Sequence, residues 1–350
     1  MMFVAVVIPC FNEYATLRET CASLGFGEGR TAADDAILVL IDNGSNDGTL
    51  DLATQISRES PPGIVRVGQE LERGFVPPRR AGNRLAQQVA QEQGVAPESA
   101  LILQADADTV YSDGYVDAMR NTAIATPAGT MVQSIMQYPA EFLEQHAAYI
   151  ELCQEAESGL EWLLDEDPEQ VVVDDKAVGY RLSDYLRWGG HQREYLASGD
   201  EVHAETTRLY MKGRLYGATL RLADEASASH SVRRVLAEPA VDFATAGFPR
   251  ETSWVRAWQA RSARVQTMRD LLSRENHAVV QLGAALRRRH ITALFGALPL
   301  DVARTVGVPS RFDQDDRLSN IMLPERPPDV LRASPAMLIE DVFRACDLFF

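Results

Sequence analysis

Apolar runs separated by amphipathic segments dominate the first third of the chain. The runs at residues 3–8, 37–41 and 101–103 contain only Phe, Val, Ala, Ile and Leu, a composition typical of strands buried on both faces of a parallel sheet. The segments between them have helical periodicity, at residues 13–24, 49–58 and 79–93. Alternating strands and helices predict right-handed crossovers and an open, doubly wound α/β sheet, mostly parallel and flanked by helices.

The pattern loosens beyond residue 110. It predicts a strand at 131–134, a long acidic helix at 141–164, a glycine-bearing loop at 187–199, a helix at 201–212 and a strand at 218–222. From about residue 250 the chain has the periodicity of amphipathic helices, and we expect the basic run 287–290 to be a solvated helix face. The predicted organisation is an α/β domain over residues 1–245 and a helical C-terminal extension over residues 246–350.

Charge and cysteine usage narrow the class of protein. Acidic residues outnumber basic ones 50 to 34, for a formal charge of −16, which argues against nucleic acid or an anionic membrane as the main partner. Cys10, Cys21, Cys153 and Cys346 have no CxxC spacing, a pattern that favours reduced thiols and a cytoplasmic location. The first apolar run lacks a basic leader, and no run reaches the roughly 18 residues of a membrane span. We expect a soluble protein without a transmembrane segment.

Polar loops follow the three predicted strands, at residues 9–13, 42–48 and 104–109. Because ligands of open α/β sheets bind beyond the carboxyl ends of the strands, we expect these loops to converge on one site. Asp42, at a strand end in a glycine-rich turn, can accept the N3–H of a uracil. Asp106 and Asp108 repel each other unless a cation or hydrogen-bond donors hold them, and their oxygen ligands suit Mg²⁺ or Mn²⁺ bridging a diphosphate. Each loop also has a plainer interpretation, in which Asn12 caps a helix and the others are connecting turns.

The order of these motifs resembles that of the family 2 glycosyltransferases, which have a Rossmann-like GT-A fold. The segments that carry the resemblance are PCFNE at 9–13, DNGSNDGT at 42–49, RGFVPPRRAGN at 73–83 and DAD at 106–108. The resemblance implies transfer of a sugar from a nucleotide-diphosphate sugar, with UDP favoured and GDP as the alternative, in the presence of Mn²⁺ or Mg²⁺. It implies that Asp106 faces the ribose and Asp108 ligates the metal. The remaining implied donor contacts are Pro9, Asn12, Glu13, Asp42, Arg73, Arg80 and Asn83.

The resemblance weakens over residues 187–250. Gly189 and Gly190 resemble the glycine pair that lets the backbone approach the donor sugar, and His230 resembles a late histidine ligand of the metal. The family has Glu-Asp at a helix start, with Asp as catalytic base, whereas this chain has Asp200-Glu201. We expect Glu201 to be the base and Asp200 to cap the helix, with inversion at the anomeric carbon.

The sequence also allows three alternative interpretations. They are a retaining GT-A enzyme, a sugar-phosphate nucleotidyltransferase and a non-catalytic nucleotide-sugar-binding module. The nucleotidyltransferase class has a glycine-rich loop after the first strand, where this chain has PCFNE. The acceptor, a small molecule or a glycan, and the oligomeric state are not predicted.

Overall fold

The computed structural model describes residues 2–27, 35–164, 169–195, 199–248, 252–318 and 320–346. They fold as two compact units. The first consists of residues 1–137, 173–193 and 205–231, and the second of residues 138–172, 194–204 and 232–350.

The first unit is built on a mixed sheet with the order β3-β2-β1-β4-β7-β6-β8-β5. Its strands are β1 Phe3–Cys10, β2 Ala36–Asp42, β3 Val65–Gln69, β4 Ala100–Ala105, β5 Val110–Tyr111, β6 Thr130–Gln137, β7 Ala177–Arg181 and β8 Thr219–Ser229. The central strands β1, β2 and β4 are almost wholly buried, as their apolar runs predict. This α/β architecture, with helices flanking the sheet and a helical C-terminal region, confirms the predicted GT-A fold class.

The helices of both units, in chain order, are α1 Leu17–Ser23, α2 Thr49–Glu59, α3 Val76–Glu92, α4 Tyr115–Ala125, α5 Ala140–Gln145, α6 Ala147–Glu157, α7 Glu161–Leu164, α8 Leu182–Arg187, α9 Glu205–Arg214, α10 Arg233–Ala237, α11 Pro239–Thr245, α12 Thr252–Ser262, α13 Met268–Leu271, α14 His277–Thr292, α15 Leu298–Val306, α16 Asp329–Ala333 and α17 Ala336–Ala345. Short 3₁₀ turns lie at Pro97–Ser99 and Arg274–Asn276, and a π-helical turn joins α14 to α15 at Ala293–Ala297.

The structure departs from the predicted elements at several places. The acidic helix at 141–164 is broken into α5, α6 and α7, because the chain leaves helical geometry at His146 and at Gly159, which has a φ of 81°. The helix predicted at 201–212 begins only at Glu205. Edge strand β3 was not predicted, because its sequence VRVGQ lacks a continuous apolar run and only Val65 is fully buried.

Strand direction brings the functional loops to one edge of the sheet. Strands β1, β2, β3 and β4 are parallel, with Cys10 opposite Asp42 and Val7 opposite Gln104. Strand β7 is antiparallel to β4 and pairs Ala177 with Ala105, so its amino end lies where β4 ends. Strands β6 and β8 end at the same edge. We call this the carboxyl edge.

Helix α3 approaches the sheet closely because Gly82 has no side chain. A Cβ at Gly82 would lie 2.3 Å from Cγ1 of Val7 on β1, far inside van der Waals contact. The close approach sets the rotation of α3 and turns Arg79 and Asn83, on the same helix face, toward the sheet. Both side chains are buried.

The second unit is helical and has its own aromatic core, which includes Phe243, Trp254, Trp258 and Phe343. The basic run 287–290 is not the solvated face that the sequence predicts. His290 is fully buried, and the buried Arg287 donates to the Glu157 carboxylate at 2.5 Å and to the Phe243 carbonyl at 2.7 Å. Among the described residues, no helix combines the length and the apolar character needed to cross a bilayer.

Candidate functional site

The loops after β1 and β2 are held together by hydrogen bonds through Asn12. Its backbone is in the left-handed region, with φ 56°. The Asn12 N–H donates to Ser45 Oγ at 3.0 Å, and Asn12 Oδ1 accepts from the Asn46 N–H at 2.9 Å. The helix-cap interpretation of Asn12 is therefore wrong, since α1 begins at Leu17 and the side chain binds the opposite loop.

A second set of contacts fixes Glu13, which follows Asn12. The Glu13 N–H donates to Thr49 Oγ1 at 2.8 Å, and the Thr49 hydroxyl donates to Asp47 at 2.6 Å. This hydrogen bond from Thr49 lowers the pKa of the Asp47 carboxyl. Pro9 belongs to the end of β1, where it lies opposite Ile41. The two loops consequently form one rigid rim at the carboxyl edge.

Asp42 closes the end of β2 and is buried. Its carboxylate accepts the N–H of Gly44 at 3.0 Å and that of Ser45 at 3.2 Å. Next to it, the Asn43 side chain donates to the carbonyls of Glu70 and Glu72 at 2.7 and 2.8 Å. The turn is thereby tied to the segment after β3, and the Asp42 carboxylate is fixed in orientation.

Arg73 covers this turn. Its guanidinium donates to the carbonyls of Asn43 and Gly44, both at 2.6 Å, and stacks on the Phe11 ring with 4.3 Å between Cζ and the ring centroid. The Phe11 side chain is half exposed, so the stack presents an aromatic and cationic surface on the rim. Arg80 is half-buried and pairs with Glu72, which also binds Arg193 at 2.6 Å.

Asp106 and Asp108 follow β4 directly. The Asp106 N–H donates to the Tyr111 hydroxyl at 3.1 Å, and this hydroxyl donates to the Lys176 carbonyl at 2.8 Å. Val110 of β5 pairs antiparallel with Ser229, the last residue of β8. Continuation of this register places His230, which follows Ser229, opposite Thr109, the chain neighbour of Asp108. The two predicted metal ligands therefore come from adjacent backbone segments.

Asp108 and His230 are the residues that the sequence predicts to hold a cation at this edge. Among the residues that the structure describes, no group of three or more His, Cys, Asp or Glu side chains is arranged to hold a metal ion. Mg²⁺ and similar cations commonly bind through one or two protein ligands and the substrate's phosphate oxygens. Asp108 and His230 would supply two such ligands.

Arg79, adjacent to the predicted Arg80, lies in a network of buried polar contacts at the carboxyl edge. It is 5% exposed, and its guanidinium donates to four groups on three chain segments. These groups are Asp106 Oδ1 at 2.8 Å, Glu205 Oε1 at 2.8 Å, Gln104 Oε1 at 3.1 Å and the Asp175 carbonyl at 3.3 Å.

Two carboxyl groups beside Arg79 titrate differently. Burial tends to raise the pKa of Glu205, but the charge of Arg79, together with hydrogen bonds from the backbone and from Arg79, brings the net pKa below the usual value. Burial, followed by the charge of Glu205, raises the pKa of Asp175 to about 7. The Asp175 carboxylate accepts the Thr206 N–H in the first turn of α9 at 3.0 Å. Near neutral pH the Asp175 carboxyl is therefore close to the midpoint of its titration, whereas Glu205 is ionised.

Asn83 belongs to a buried polar network behind these groups. Gln104 donates to Asn83 Oδ1 and to the Tyr180 hydroxyl, each at 2.9 Å. Asn83 Nδ2 lies 3.0 Å from the Tyr180 hydroxyl and 3.4 Å from His191 Nδ1. His191 Nε2 lies 3.2 Å from the Thr206 hydroxyl. Burial lowers the pKa of His191 to about 3, so the imidazole is neutral.

Gly189 and Gly190 end helix α8. Both have left-handed backbones, with φ 82° and 66°, and the Gly190 N–H donates to the Tyr185 carbonyl at 3.0 Å. A Cβ at Gly190 would lie 3.0 Å from the Tyr185 ring. Glycine is required here to turn the chain back over that ring.

Asp200 and Glu201 belong to the second unit. The Asp200 carboxylate pairs with Arg256 on α12 at 2.5 Å, and Glu201 forms a backbone bridge with Tyr195. Helix α9 begins at Glu205. The expectation that Asp200 caps this helix is therefore wrong. In the same segment, the buried Glu194 accepts the Ala336 N–H at 3.0 Å at the start of α17.

Sequence reasoning missed Arg79, Gln104, Asp175 and Glu205. One available signal was the four-residue spacing of Arg79 and Asn83, which puts both on one helix face. The second was the acidic pair Asp174-Asp175 directly after the apolar run Val171–Val173. Gln104 and Glu205 have no local signal, because their role depends on pairing across the fold.

Comparison with known proteins agrees with this architecture. The model of glycosyl transferase family 2 matches residues 5–181, and the chain therefore belongs to this family. A search of curated proteins gives no significant match. Among solved structures, one similar fold is that of the mannosyltransferase PcManGT from Pyrobaculum calidifontis in complex with GDP-Man and Mn²⁺. The two sequences are 14% identical, the TM-score is 0.50, and the match covers 98% of this chain and 86% of that one.

Two further solved structures have lower TM-scores. Residues 1–349 of S. aureus TarS are 12% identical with a TM-score of 0.44, over 98% of this chain and 90% of that one. GalNAc-T7 with UDP, GalNAc and Mn²⁺ is 14% identical with a TM-score of 0.43, over 66% of this chain. The chain spans only 44% of the length of the GalNAc-T7 structure.

Proposed function

We propose that this glycosyltransferase moves a hexose from a nucleotide-diphosphate sugar to an acceptor hydroxyl, with a divalent cation and with inversion at the anomeric carbon. A UDP-sugar is the favoured donor and a GDP-sugar the alternative. The observation that carries the proposal is the convergence of the three family loops, with Asp42, Asp106 and Asp108, at one carboxyl edge. The mannosyltransferase of similar fold, whose structure holds GDP-Man and Mn²⁺, supports a nucleotide-sugar donor and a metal.

Four side chains of the carboxyl edge have a proposed role in binding the donor or its metal. Asp42 accepts a hydrogen bond from the base, Asp106 faces the ribose, and Asp108 and His230 hold the cation. The other proposed donor contacts are Pro9, Asn12, Glu13, Arg73, Arg80, Asn83, Gly189 and Gly190. A bound Mn²⁺ or Mg²⁺ supplies positive charge beside the leaving diphosphate, where negative charge develops.

The base is proposed to be Glu201. It takes the proton of the acceptor hydroxyl while the acceptor oxygen bonds to the anomeric carbon and the bond from that carbon to the diphosphate oxygen breaks. Asp200 is the second candidate, but its carboxylate is engaged by Arg256. We also propose that residues 1–245 serve as the catalytic domain, with residues 246–350 as its extension.

Calorimetric titration with UDP and with GDP, each with and without Mn²⁺, tests the proposed function. We expect one nucleotide to bind and Mn²⁺ to tighten its binding. Failure of both nucleotides to bind would refute a nucleotide-sugar donor.

Base recognition predicts the effect of Asp42→Asn. Asparagine keeps an oxygen for the turn but loses the charge that strengthens a hydrogen bond from uracil N3–H, a contact worth about 1.5–3 kcal/mol. UDP affinity should fall roughly ten- to a hundredfold. Asp51→Asn on the exposed face of α2 is the matched control and should bind UDP as the wild type does. Equal affinity of Asp42→Asn and the control would mean that the base lies elsewhere.

A further inference from the structure

We propose that Arg79 is a positioning residue, which holds Asp106 toward the donor and fixes the start of α9 through a closed ring of buried hydrogen bonds. The inference rests on the proposed function, because Asp106 matters only if a nucleotide donor binds at the carboxyl edge. All residues of the ring belong to the first unit.

The ring begins at the guanidinium, which can only donate. Gln104 Oε1 must therefore be the atom that accepts from Arg79, and this fixes the orientation of the Gln104 amide. The amide nitrogen then faces Asn83 Oδ1 and donates to it. The orientation of Asn83 follows, and its amide nitrogen faces His191 Nδ1.

The ring closes through His191. Because Asn83 Nδ2 donates, Nδ1 of the neutral imidazole accepts, and the proton of His191 resides on Nε2. That N–H donates to the Thr206 hydroxyl. Thr206 is the neighbour of Glu205, whose carboxylate accepts from Arg79 Nε. The Arg79 guanidinium thereby determines which atoms of Gln104, Asn83 and His191 donate and which accept.

Burial indicates that Arg79 acts through Asp106. The side chain of Arg79 is 6% exposed, whereas that of Asp106 is 31% exposed. The Asp106 carboxylate thus faces solvent on one side and Arg79 on the other. A lysine at position 79 would keep the charge but lose the fork of donors that reaches three chain segments at once.

A double-mutant cycle in UDP binding, measured by calorimetry, tests the inference. The cycle combines Arg79→Lys with Asp106→Asn, and Arg84→Lys on the exposed face of α3 serves as the matched control. We expect each single substitution of the cycle to lower UDP affinity about tenfold. The UDP affinity of the double variant should lie within about threefold of that of the weaker-binding single variant, because both substitutions remove the same interaction. A purely structural Arg79 would lower the melting temperature and give losses that multiply.

If Arg79→Lys does not fold, a second double variant, Arg79→Gln with Glu205→Gln, replaces it, since this variant removes both buried charges together. Its UDP affinity should fall by the same factor as that of Asp106→Asn. Nitrogen-15 NMR adds a signature independent of the donor: His191 should be a single tautomer with the proton on Nε2 in the wild type, and a mixture in the Arg79 variants.

The outcomes separate the inference from the function on which it rests. Wild-type affinity for UDP in the Arg79 variants, or multiplying losses in the cycle, would overturn the inference and leave the proposed function standing. If the wild type binds neither UDP nor GDP, the proposed function and the inference both fail.

Discussion

Replacing Asp108 with alanine is expected to remove the increase in UDP affinity that Mn²⁺ produces, while the metal-free affinity stays as in the wild type. Asp108 supplies the carboxylate of the two proposed ligands, so its loss leaves His230 alone, which is too little to hold the cation beside the diphosphate. Turnover should fall by about a hundredfold or more, because the cation stabilises several kcal/mol of developing charge. Calorimetry with and without Mn²⁺ measures the binding effect.

Two variants serve as comparisons for Asp108→Ala. Asp106→Ala should weaken UDP but retain most of the metal response, since its proposed partner is the ribose. Asp117→Asn, on the exposed face of α4, should behave as the wild type. Undiminished stimulation by Mn²⁺ in Asp108→Ala would show that the ligand lies elsewhere.

Replacing Glu201 with glutamine is expected to lower turnover by about 10²–10⁴-fold, the usual contribution of a general base. Donor affinity should change little, because the base acts on the acceptor. The measurement is steady-state transfer to an acceptor, together with calorimetric UDP binding. Asp200→Asn is the matched comparison and should shift the melting temperature slightly, because its exposed pair with Arg256 is worth about 0–1 kcal/mol.

Two other outcomes would change this assignment. An inactive Asp200→Asn with normal melting would make Asp200 the base and leave inversion intact. Full activity in both variants would contradict an inverting mechanism with either carboxylate as base, and retention would become the leading hypothesis. The anomeric configuration of the product, read by NMR, distinguishes inversion from retention.

Much of the fold could be predicted because its central strands are buried on both faces. The apolar runs at 3–8, 37–41 and 101–103 needed no tertiary information to be recognised, and β1, β2 and β4 confirm them. The polar loops after these strands converge as predicted, since parallel strands end at one edge. Strand β3 was missed because edge strands tolerate polar residues and carry a weak pattern.

The choice between Arg79 and Arg80 illustrates what the sequence leaves open at the site. Both are arginines on one helix, and only the packing of Gly82 against Val7 decides which of them faces the sheet. The Arg79–Glu205 pair joins residues 126 positions apart, so no local pattern reveals it. Arg287 was misjudged for the same reason, because its partner Glu157 comes from another helix, 130 positions away.

If the carboxyl edge cleaves nucleotide-sugar donors with the help of a metal, the protein should release nucleoside diphosphate from a donor even when no acceptor is present. The release is measured after the protein is incubated with a panel of UDP- and GDP-hexoses and Mn²⁺, without acceptor. We expect slow hydrolysis of at least one donor, lost on chelation of the metal and in Asp108→Ala. Release that is unchanged by chelation and by Asp108→Ala, or no release from any donor in the panel, would contradict this expectation.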